Sequence, residues 1–300
     1  PQPQQAEPLT VTGYAPRTDA WPWVPELHPA VLAIPAASDG SIAAVAAYLV
    51  AAEPDPTLRV KAIHDYVANR IAYDVASYRA KDYPDQSATA VFERRLAVCA
   101  GYANLAVAIG EAAGVEIVVV VGDSRQPGKD PTGEGHAWNA ARIGDRWVLF
   151  DATWDAGGVD ESGFERSYDG EFLMPPPQVF AATHFPEEPR WQLLEQPMTR
   201  AEFLRQAAMR PGFYARGLEL RSPASWRVDT TGPLRIELAN PLQLGVEGSV
   251  VRGDHEQVVR CTATGSGLEC PFPAPGRYAV RLWHDHDYLG ELQVDAGLPS

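Results

Sequence analysis

The chain has 300 residues, of which 45% are hydrophobic, and a formal net charge of -14 at pH 7. This acidic balance and the lack of any Lys/Arg run exclude a nucleic-acid partner, because phosphate binding requires a cationic face. The length allows two hydrophobic cores without a structural metal, and no apolar stretch reaches the roughly 18 residues of a membrane helix, so no membrane span is predicted.

The first 35 residues carry many prolines and several aromatic residues, which is typical of an extended arm packed on a domain. Because the chain begins at Pro1 and not at a methionine, we expect a signal peptide to have been removed and the protein to be secreted or periplasmic. A deliberately shortened chain is the alternative explanation of this start. The sequence predicts no role for the arm.

Helical spacing of apolar residues predicts three helices in the first hundred residues, over Ile42 to Ala52, Thr57 to Ala72 and Ser87 to Leu96. Ser38 or Asp39 caps the first, and Asp55-Pro56 opens the second. The polar, tyrosine-rich segment from Tyr73 to Gln86 is predicted to be a loop. We expect the first two helices to be scaffold.

Cys99 stands at the start of a fourth helical pattern. The apolar positions that recur at helical spacing are Tyr102, Leu105, Ala106, Ile109 and Ala113, and Gly114 ends the pattern. A thiol at a helix start faces unpaired backbone N–H groups and the positive end of the helix dipole, which favour the thiolate. Cys99 is therefore a candidate nucleophile; the alternative is a small buried apolar residue.

Two strands after this helix supply a candidate base and acid. The β-branched run 115–121 predicts a buried strand, and strands over His136 to Ile143 and Arg146 to Trp154 meet at the turn Gly144-Asp145. With a two-residue turn, Ile143 faces Arg146, which makes His136 and Asp151 diagonal neighbours on one face. A one-residue slip would separate them.

Taken singly, each of these residues is more typical of structure than of chemistry. Together they match what a thiol acyl-transfer site needs, namely a nucleophile, a base and a group that orients the base. The order along the chain predicts a catalytic triad of Cys99, His136 and Asp151.

Other residues are expected around this triad. The Cys99 backbone N–H is the first donor to an oxyanion, and Gln86 is a candidate second donor, with an ordinary loop residue as the alternative. Trp138, Trp154 and Tyr102 are predicted to wall the site. We expect no metal and no cofactor, because His284 and His286 have no third ligand near a hairpin turn and no EF-hand loop is present.

The C-terminal part, from about Gly217, consists of short alternating runs separated by turn residues, which predicts a β-sandwich. Gly276-Arg277-Tyr278 looks like the tyrosine corner of immunoglobulin-like folds. A hairpin that turns on Gly265-Ser266 would place Cys261 opposite Cys270, within disulfide range. A disulfide would indicate an oxidising compartment; two reduced core thiols are the alternative.

Three motifs resemble those of the transglutaminase-like superfamily, namely Cys99 to Ala103, Gly135 to Asn139 and Trp147 to Trp154. Further on, Thr183 to Pro186 and Trp191 to Leu194 resemble the narrower kyphoscoliosis peptidase branch, and together the motifs cover roughly residues 57 to 205. The resemblance implies a papain-like α+β core with Cys99 as nucleophile, His136 as base and Asp151 as orienting acid. Ala97 departs from the glycine that the superfamily often has there.

We therefore expect an α+β protein with three parts: a proline-rich arm (1–35), a papain-like or transglutaminase-like core (36–212) and an immunoglobulin-like β-sandwich (213–300). The predicted function is acyl transfer from protein or peptide amides through a Cys99 thioester, by hydrolysis or transamidation. The alternative, which the superfamily resemblance also implies, is a non-catalytic protein-binding scaffold. The sequence predicts no oligomeric state.

Overall fold

The computed structural model describes residues 21–126, 134–253 and 256–297. The helices are α1 (Pro29–Leu32), α2 (Ile42–Ala52), α3 (Pro56–Arg70), α4 (Val75–Ala80), α5 (Ala88–Arg94), α6 (Cys99–Ala112), α7 (Pro177–Phe180), α8 (Arg200–Arg205) and α9 (Pro211–Ala215). Within the described ranges, no helix is both long and apolar enough to cross a membrane.

The N-terminal strands are β1 (Ala72–Tyr73), β2 (Leu96–Ala97), β3 (Ile117–Ser124), β4 (Glu134–Ile143), β5 (Arg146–Phe150), β6 (Gly157–Val159), β7 (Phe164–Arg166) and β8 (His184–Pro186). The C-terminal strands are β9 (Glu219–Ser222), β10 (Arg227–Thr230), β11 (Leu234–Ala239), β12 (Glu247–Arg252), β13 (Glu256–Arg260), β14 (Thr262–Thr264), β15 (Gly267–Cys270), β16 (Gly276–His284) and β17 (Asp287–Ala296).

Helix starts follow from side-chain caps. Asp55 Oδ1 accepts the backbone N–H of Thr57 at 2.8 Å, and Pro56 occupies the first position of α3. The cap of α2 is Ser41, whose hydroxyl accepts the N–H of Ala44 at 3.2 Å. The prediction that Ser38 or Asp39 caps α2 was wrong, because the chain first makes a 3-10 turn over Ala36–Ser38.

The segment predicted to be a loop, Tyr73 to Gln86, contains α4. Asp74 caps this helix through the backbone N–H of Ser77, at 3.0 Å. At six residues the helix is too short to show helical periodicity, so only the capping side chain marks its start.

The central sheet of the N-terminal half has the antiparallel order β5-β4-β3-β8. Ile143 pairs with Arg146 across the Gly144-Asp145 turn, which confirms the predicted register. The prediction that this strand runs on to Trp154 was wrong. Strand β5 ends at Phe150, because Phe150 forms a bridge with Leu173 and draws the following chain away from β4.

Two hydrophobic layers enclose this sheet. Helix α6 packs against β3 and β4 together with α2, α3 and α5, and this side buries alternate strand residues such as Ile117 and Ile143. The opposite face buries Val120 and Trp138 against Phe180. Both faces are covered, which explains the nearly continuous apolar run in β3.

The C-terminal half forms two sheets, β10-β17-β16-β12-β13 and β14-β15-β11-β9. Side chains of both sheets share one hydrophobic cluster, which also takes in Trp21 and Val179 from the N-terminal half. The Tyr278 hydroxyl donates to the Ala274 carbonyl at 2.8 Å. The sheets agree with the strand-rich character expected here, while the immunoglobulin-like topology and the boundaries at residues 35 and 212 stay predictions.

Cys261 and Cys270 form a disulfide with Cα atoms 4.2 Å apart. The two residues flank the β14–β15 hairpin, in which Thr264 pairs with Gly267. Cys99 is the free cysteine of the described chain.

Candidate active site

Cys99 is the first residue of α6 and is partly exposed. The preceding residue, Val98, is the N-cap and has no capping side chain of its own. Gln86 Oε1 accepts the Val98 N–H at 3.1 Å and so holds the residue that precedes the helix. A backbone N–H at the first helical position has no acceptor within the helix, so that of Cys99 is free to bind a ligand atom.

His136 and Asp151 lie in direct contact, with His136 Nε2 2.7 Å from Asp151 Oδ2. Cys99 and the same imidazole lie close enough to shift each other's pKa. The Ala137 backbone also lowers the pKa of the Cys99 thiol.

These contacts govern the ionisation of the three groups. Burial raises the pKa of the Cys99 thiol, but hydrogen bonding to His136 and its charge outweigh burial, so the pKa lies below its ordinary value. Burial also opposes the charged form of His136, yet the Asp151 carboxylate raises the His136 pKa to about 10. The pKa of Asp151 is held well below its usual range against burial, chiefly by the charge of His136. The site therefore favours thiolate, imidazolium and carboxylate.

Asp151 is anchored by its backbone as well as by its side chain. Its Oδ1 accepts the N–H of Thr153 at 2.8 Å and that of Trp154 at 3.3 Å. Its own N–H donates to the Phe172 carbonyl at 3.1 Å, and the Phe172 N–H donates to Asp155 at 2.9 Å. The contact with His136 therefore arises from a turn beyond β5 and not from the predicted diagonal pairing.

His184, which the Thr183 to Pro186 motif indicated only as a structural residue, is a further neighbour of this cluster. It lies on β8, at the sheet edge beside β3, and its Nε2 is 3.2 Å from Asp151 Oδ2. Burial lowers the pKa of His184 to about 4, despite the nearby Asp151 carboxylate. His184 follows Asp151 by 33 residues, so no local pattern indicates their contact.

The other predicted site residues take different places. The Gln86 amide donates to the Pro84 carbonyl at 2.9 Å while its oxygen holds Val98, so both ends brace the loop before Cys99. Trp154 is partly exposed, and its ring centroid lies 5.5 Å from that of His136. Trp138 is buried beside His136, and Tyr102 is buried with its hydroxyl on the Ile71 carbonyl.

Among the described residues, one group has the donor set of a metal site, namely His136, Asp151 and His184, whose candidate ligand atoms lie within 4.8 Å of one another. Both imidazoles already hydrogen-bond to the carboxylate directly, and the three side chains are at most 7% exposed. The contacts present are those of a hydrogen-bonded cluster.

A second buried cluster lies behind the site. His64 Nδ1 is 2.8 Å from Asp65 Oδ1, and His64 Nε2 is 3.1 Å from Asp155 Oδ2. Lys61 Nζ lies 2.6 Å from Asp65 Oδ2, and the Tyr168 hydroxyl donates to Oδ1 of the same carboxylate at 2.6 Å. Burial lowers the pKa of His64, but hydrogen bonds and charges from the two aspartates raise it to about 9.

Comparison with known proteins places the site in a family. Residues 43–152, which include Cys99, His136 and Asp151, match the family model of the transglutaminase-like superfamily. This stretch is a transglutaminase-like domain. The match confirms the superfamily resemblance that the motifs around these three residues indicated.

Curated relatives extend the similarity beyond the transglutaminase-like domain. The chain is 34% identical over 179 residues to the mouse (Mus musculus) kyphoscoliosis peptidase, and 33% identical over 179 residues to the human (Homo sapiens) protein. Each alignment covers 57% of this chain and 27% of the relative, so the chain spans about a quarter of their length. These matches confirm the resemblance to that branch.

A solved structure also matches part of this chain. A TGase crystal structure is 28% identical over 44% of this chain and 34% of its own chain, with a TM-score of 0.33. The mixed helix and strand content of the domain agrees with the predicted α+β class.

Proposed function

We propose that this protein is a thiol acyl-transfer enzyme acting on protein or peptide amides, with Cys99 as nucleophile, His136 as proton carrier and Asp151 as the group that orients His136. The observation that carries the proposal is the place of His136, whose Nε2 lies 2.7 Å from Asp151 Oδ2 and whose imidazole lowers the pKa of the Cys99 thiol. A thiolate beside an imidazolium is the reactive form of such a pair.

The contacts support the following sequence of steps. The Cys99 sulfur attacks the amide carbonyl carbon, and the electron pair of the C=O bond moves to oxygen, where the Cys99 backbone N–H donates to it. The C–N bond then breaks, and the leaving amine takes the proton from His136. A thioester remains on Cys99. Water or an amine attacks the thioester, His136 accepts the proton of the attacking group, and the thiolate is released.

We propose hydrolysis as the first reaction to assay, because the two mammalian relatives are named peptidases. The transglutaminase-like domain supports transamidation as the second, since both reactions share every step up to the thioester. What decides between them is the access of water to the thioester. We propose that loops such as Gly122 to Gly135 and Gly157 to Gly170 control this access; positions 127–133 of the first lie outside the described residues.

We further propose that the protein is secreted or periplasmic, which the Cys261–Cys270 disulfide supports because disulfides persist in oxidising compartments. The C-terminal sheets are proposed to form an immunoglobulin-like sandwich that positions substrates or partners. The shared hydrophobic cluster of the two sheets supports a sandwich.

The test is the pH dependence of Cys99 alkylation by iodoacetamide, compared between the parent protein and His136→Gln. The other two cysteines are joined in the disulfide, so labelling reports on Cys99. We expect rapid labelling of the parent well below the ordinary thiol pKa of about 8.5, and its loss in the variant. Labelling of the parent only near that pH would contradict the enzyme proposal and favour the non-catalytic scaffold.

A second measurement tests turnover. The parent and Cys99→Ala are incubated with peptide amides and quenched in acid, and intact mass reports any acyl group on the protein. We expect an adduct on the parent alone, which hydroxylamine removes. An adduct on both proteins would show acylation at another residue and would contradict the role of Cys99.

A further inference from the structure

The buried His184 holds the carboxylate that faces the proposed base. His184 Nε2 lies 3.2 Å from Asp151 Oδ2, the same oxygen that is 2.7 Å from His136 Nε2. The side chains of His184 and Asp151 are 0% and 1% exposed. Two imidazoles thus meet at one carboxylate oxygen, one facing the thiol and one on the far side.

The surroundings of His184 fix its orientation. Its ring stacks on Phe180 with centroids 4.1 Å apart, and it lies edge-on to Trp138 at 5.0 Å and tilted against Trp154 at 4.6 Å. The Thr183 hydroxyl lies 2.9 Å from His184 Nδ1. The ring therefore has a polar partner at each nitrogen and aromatic neighbours around it.

Asp151 sets which nitrogen carries the proton in this cluster. An ionised carboxylate only accepts hydrogen bonds, so Nε2 must donate to Asp151. The Thr183 hydroxyl lies 2.9 Å from Nδ1 and also donates to the Phe180 carbonyl at 3.3 Å. Burial lowers the pKa of the ring and thereby favours its neutral form, so His184 adds a hydrogen bond to Asp151 without a second positive charge beside His136.

Asp151 is consequently held at both oxygens. Backbone N–H groups of Thr153 and Trp154 hold Oδ1, and the two imidazoles share Oδ2. Without His184, Oδ2 would be held only by His136, the group whose direction the carboxylate is meant to set. An orienting group needs support that is independent of the group it orients.

We propose that His184 is a positioning residue of the acyl-transfer site: its Nε2–H fixes Asp151, which directs His136 at the Cys99 sulfur. This inference rests on the proposed function, because it assigns His184 a part in the same site. It goes beyond the triad, since His184 lies outside the residues that match the family model and contacts Asp151.

The test compares His184→Gln with His184→Met. The glutamine amide nitrogen stands as many bonds from the backbone as His Nε2 and keeps a donor, whereas methionine fills a similar volume without one. The readout is the pH at which Cys99 alkylation reaches half its maximum, because loss of packing alone does not change that value when the variant is folded. Thermal unfolding checks that both variants are folded.

We expect the methionine variant to shift this midpoint upward by about one pH unit. At slightly acidic pH its thiolate fraction is then about tenfold lower than that of the parent. The glutamine variant should stay close to the parent. Equal shifts in both variants, or no shift in the folded methionine variant, would overturn the positioning role. If the parent itself reacts as an ordinary thiol, the proposed function fails first, and the two failures are thereby distinguished.

A measurement on the parent keeps the inference testable if the methionine variant does not fold. Long-range ¹H–¹⁵N correlation spectra distinguish the two neutral tautomers of a histidine. We expect His184 to remain neutral with the proton on Nε2 from about pH 5 to 9. A proton on Nδ1, or a His184 that becomes charged near neutral pH, would overturn the proposal.

Discussion

His64 Nε2 lies 3.1 Å from Asp155 Oδ2, and both side chains are completely buried. The other ring nitrogen faces Asp65 at 2.8 Å. The charges of the two carboxylates favour the imidazolium, and the pKa of His64 is raised to about 9 against the effect of burial. Asp155 also accepts the Phe172 N–H, which links this buried ion pair to the segment that anchors Asp151.

This ion pair predicts a loss of stability at alkaline pH. The folded pKa of His64, about 9, lies above the ordinary value of 6.5. The stabilisation is therefore complete below the unfolded pKa and is lost as the pH rises through about 9, with a size on the order of 3 kcal/mol. Urea unfolding between about pH 6 and 9 measures it.

His64→Gln is the comparison that isolates this effect. His136 also has a raised pKa and remains in the variant, so the free energy of unfolding of both proteins falls with pH, but that of the parent should fall more steeply. Parallel slopes would contradict a charged His64.

Asp151→Asn should weaken Cys99 as a nucleophile. The charge of Asp151 is the largest contribution that raises the pKa of His136, and removing it lowers the share of imidazolium that stabilises the thiolate. We expect alkylation at about pH 6 to slow by roughly tenfold or more. Asp145→Asn, at the exposed hairpin turn, is the matched control and should leave the rate as it is.

Gly101→Ala should destabilise the fold and disturb the start of α6. A Cβ atom there would lie 2.6 Å from Ala97 Cβ and 2.7 Å from Val91 Cγ2, closer than such atoms approach. Overpacking of this kind costs about 1–3 kcal/mol. Gly158→Ala is the control, because nothing lies within 4 Å of its added Cβ atom. Denaturant unfolding of the two variants should separate them; equal stabilities would contradict the tight packing.

Removing the disulfide should affect stability without changing the thiol chemistry. The bond joins residues nine positions apart, and closing so short a loop stabilises by about 3 kcal/mol in the chain-entropy description. We expect Cys261→Ala/Cys270→Ala to unfold at lower denaturant concentration, with Cys99 alkylation unchanged at each pH. A shifted alkylation profile would instead show that the C-terminal sheets shape the site.

Patterns among residues close in sequence predicted the features that short-range contacts determine. The two-residue turn at Gly144-Asp145 fixed the register of β4 and β5, and the helical spacing after Cys99 placed the thiol at the start of α6. Counting along the ladder failed beyond Phe150, because the bridge to Leu173 ends the strand. That bridge joins distant parts of the chain, and periodicity carries no information about it.

Long sequence separation also explains why the sequence did not indicate the contacts of His184 and Asp155. His184 reaches Asp151 across 33 positions, and Asp155 reaches His64 across an even longer separation. A histidine followed by an aspartate in a helix, as in His64-Asp65, reads as an ordinary polar pair until its burial is known. Only the packed structure shows that these groups have no water to stabilise them.

The short strand β8 limits how small a fragment of this protein can be while it keeps the complete site. It borders β3 through pairs such as Gly122 with Pro186, and a side chain at Gly122 would collide with the Phe185 carbonyl at 2.1 Å. The family match ends at residue 152, before this strand begins. A fragment excised at that boundary would keep Cys99, His136 and Asp151 but expose the edge of β3 and lose His184. We therefore expect a fragment that retains the complete site to extend at least through residue 186.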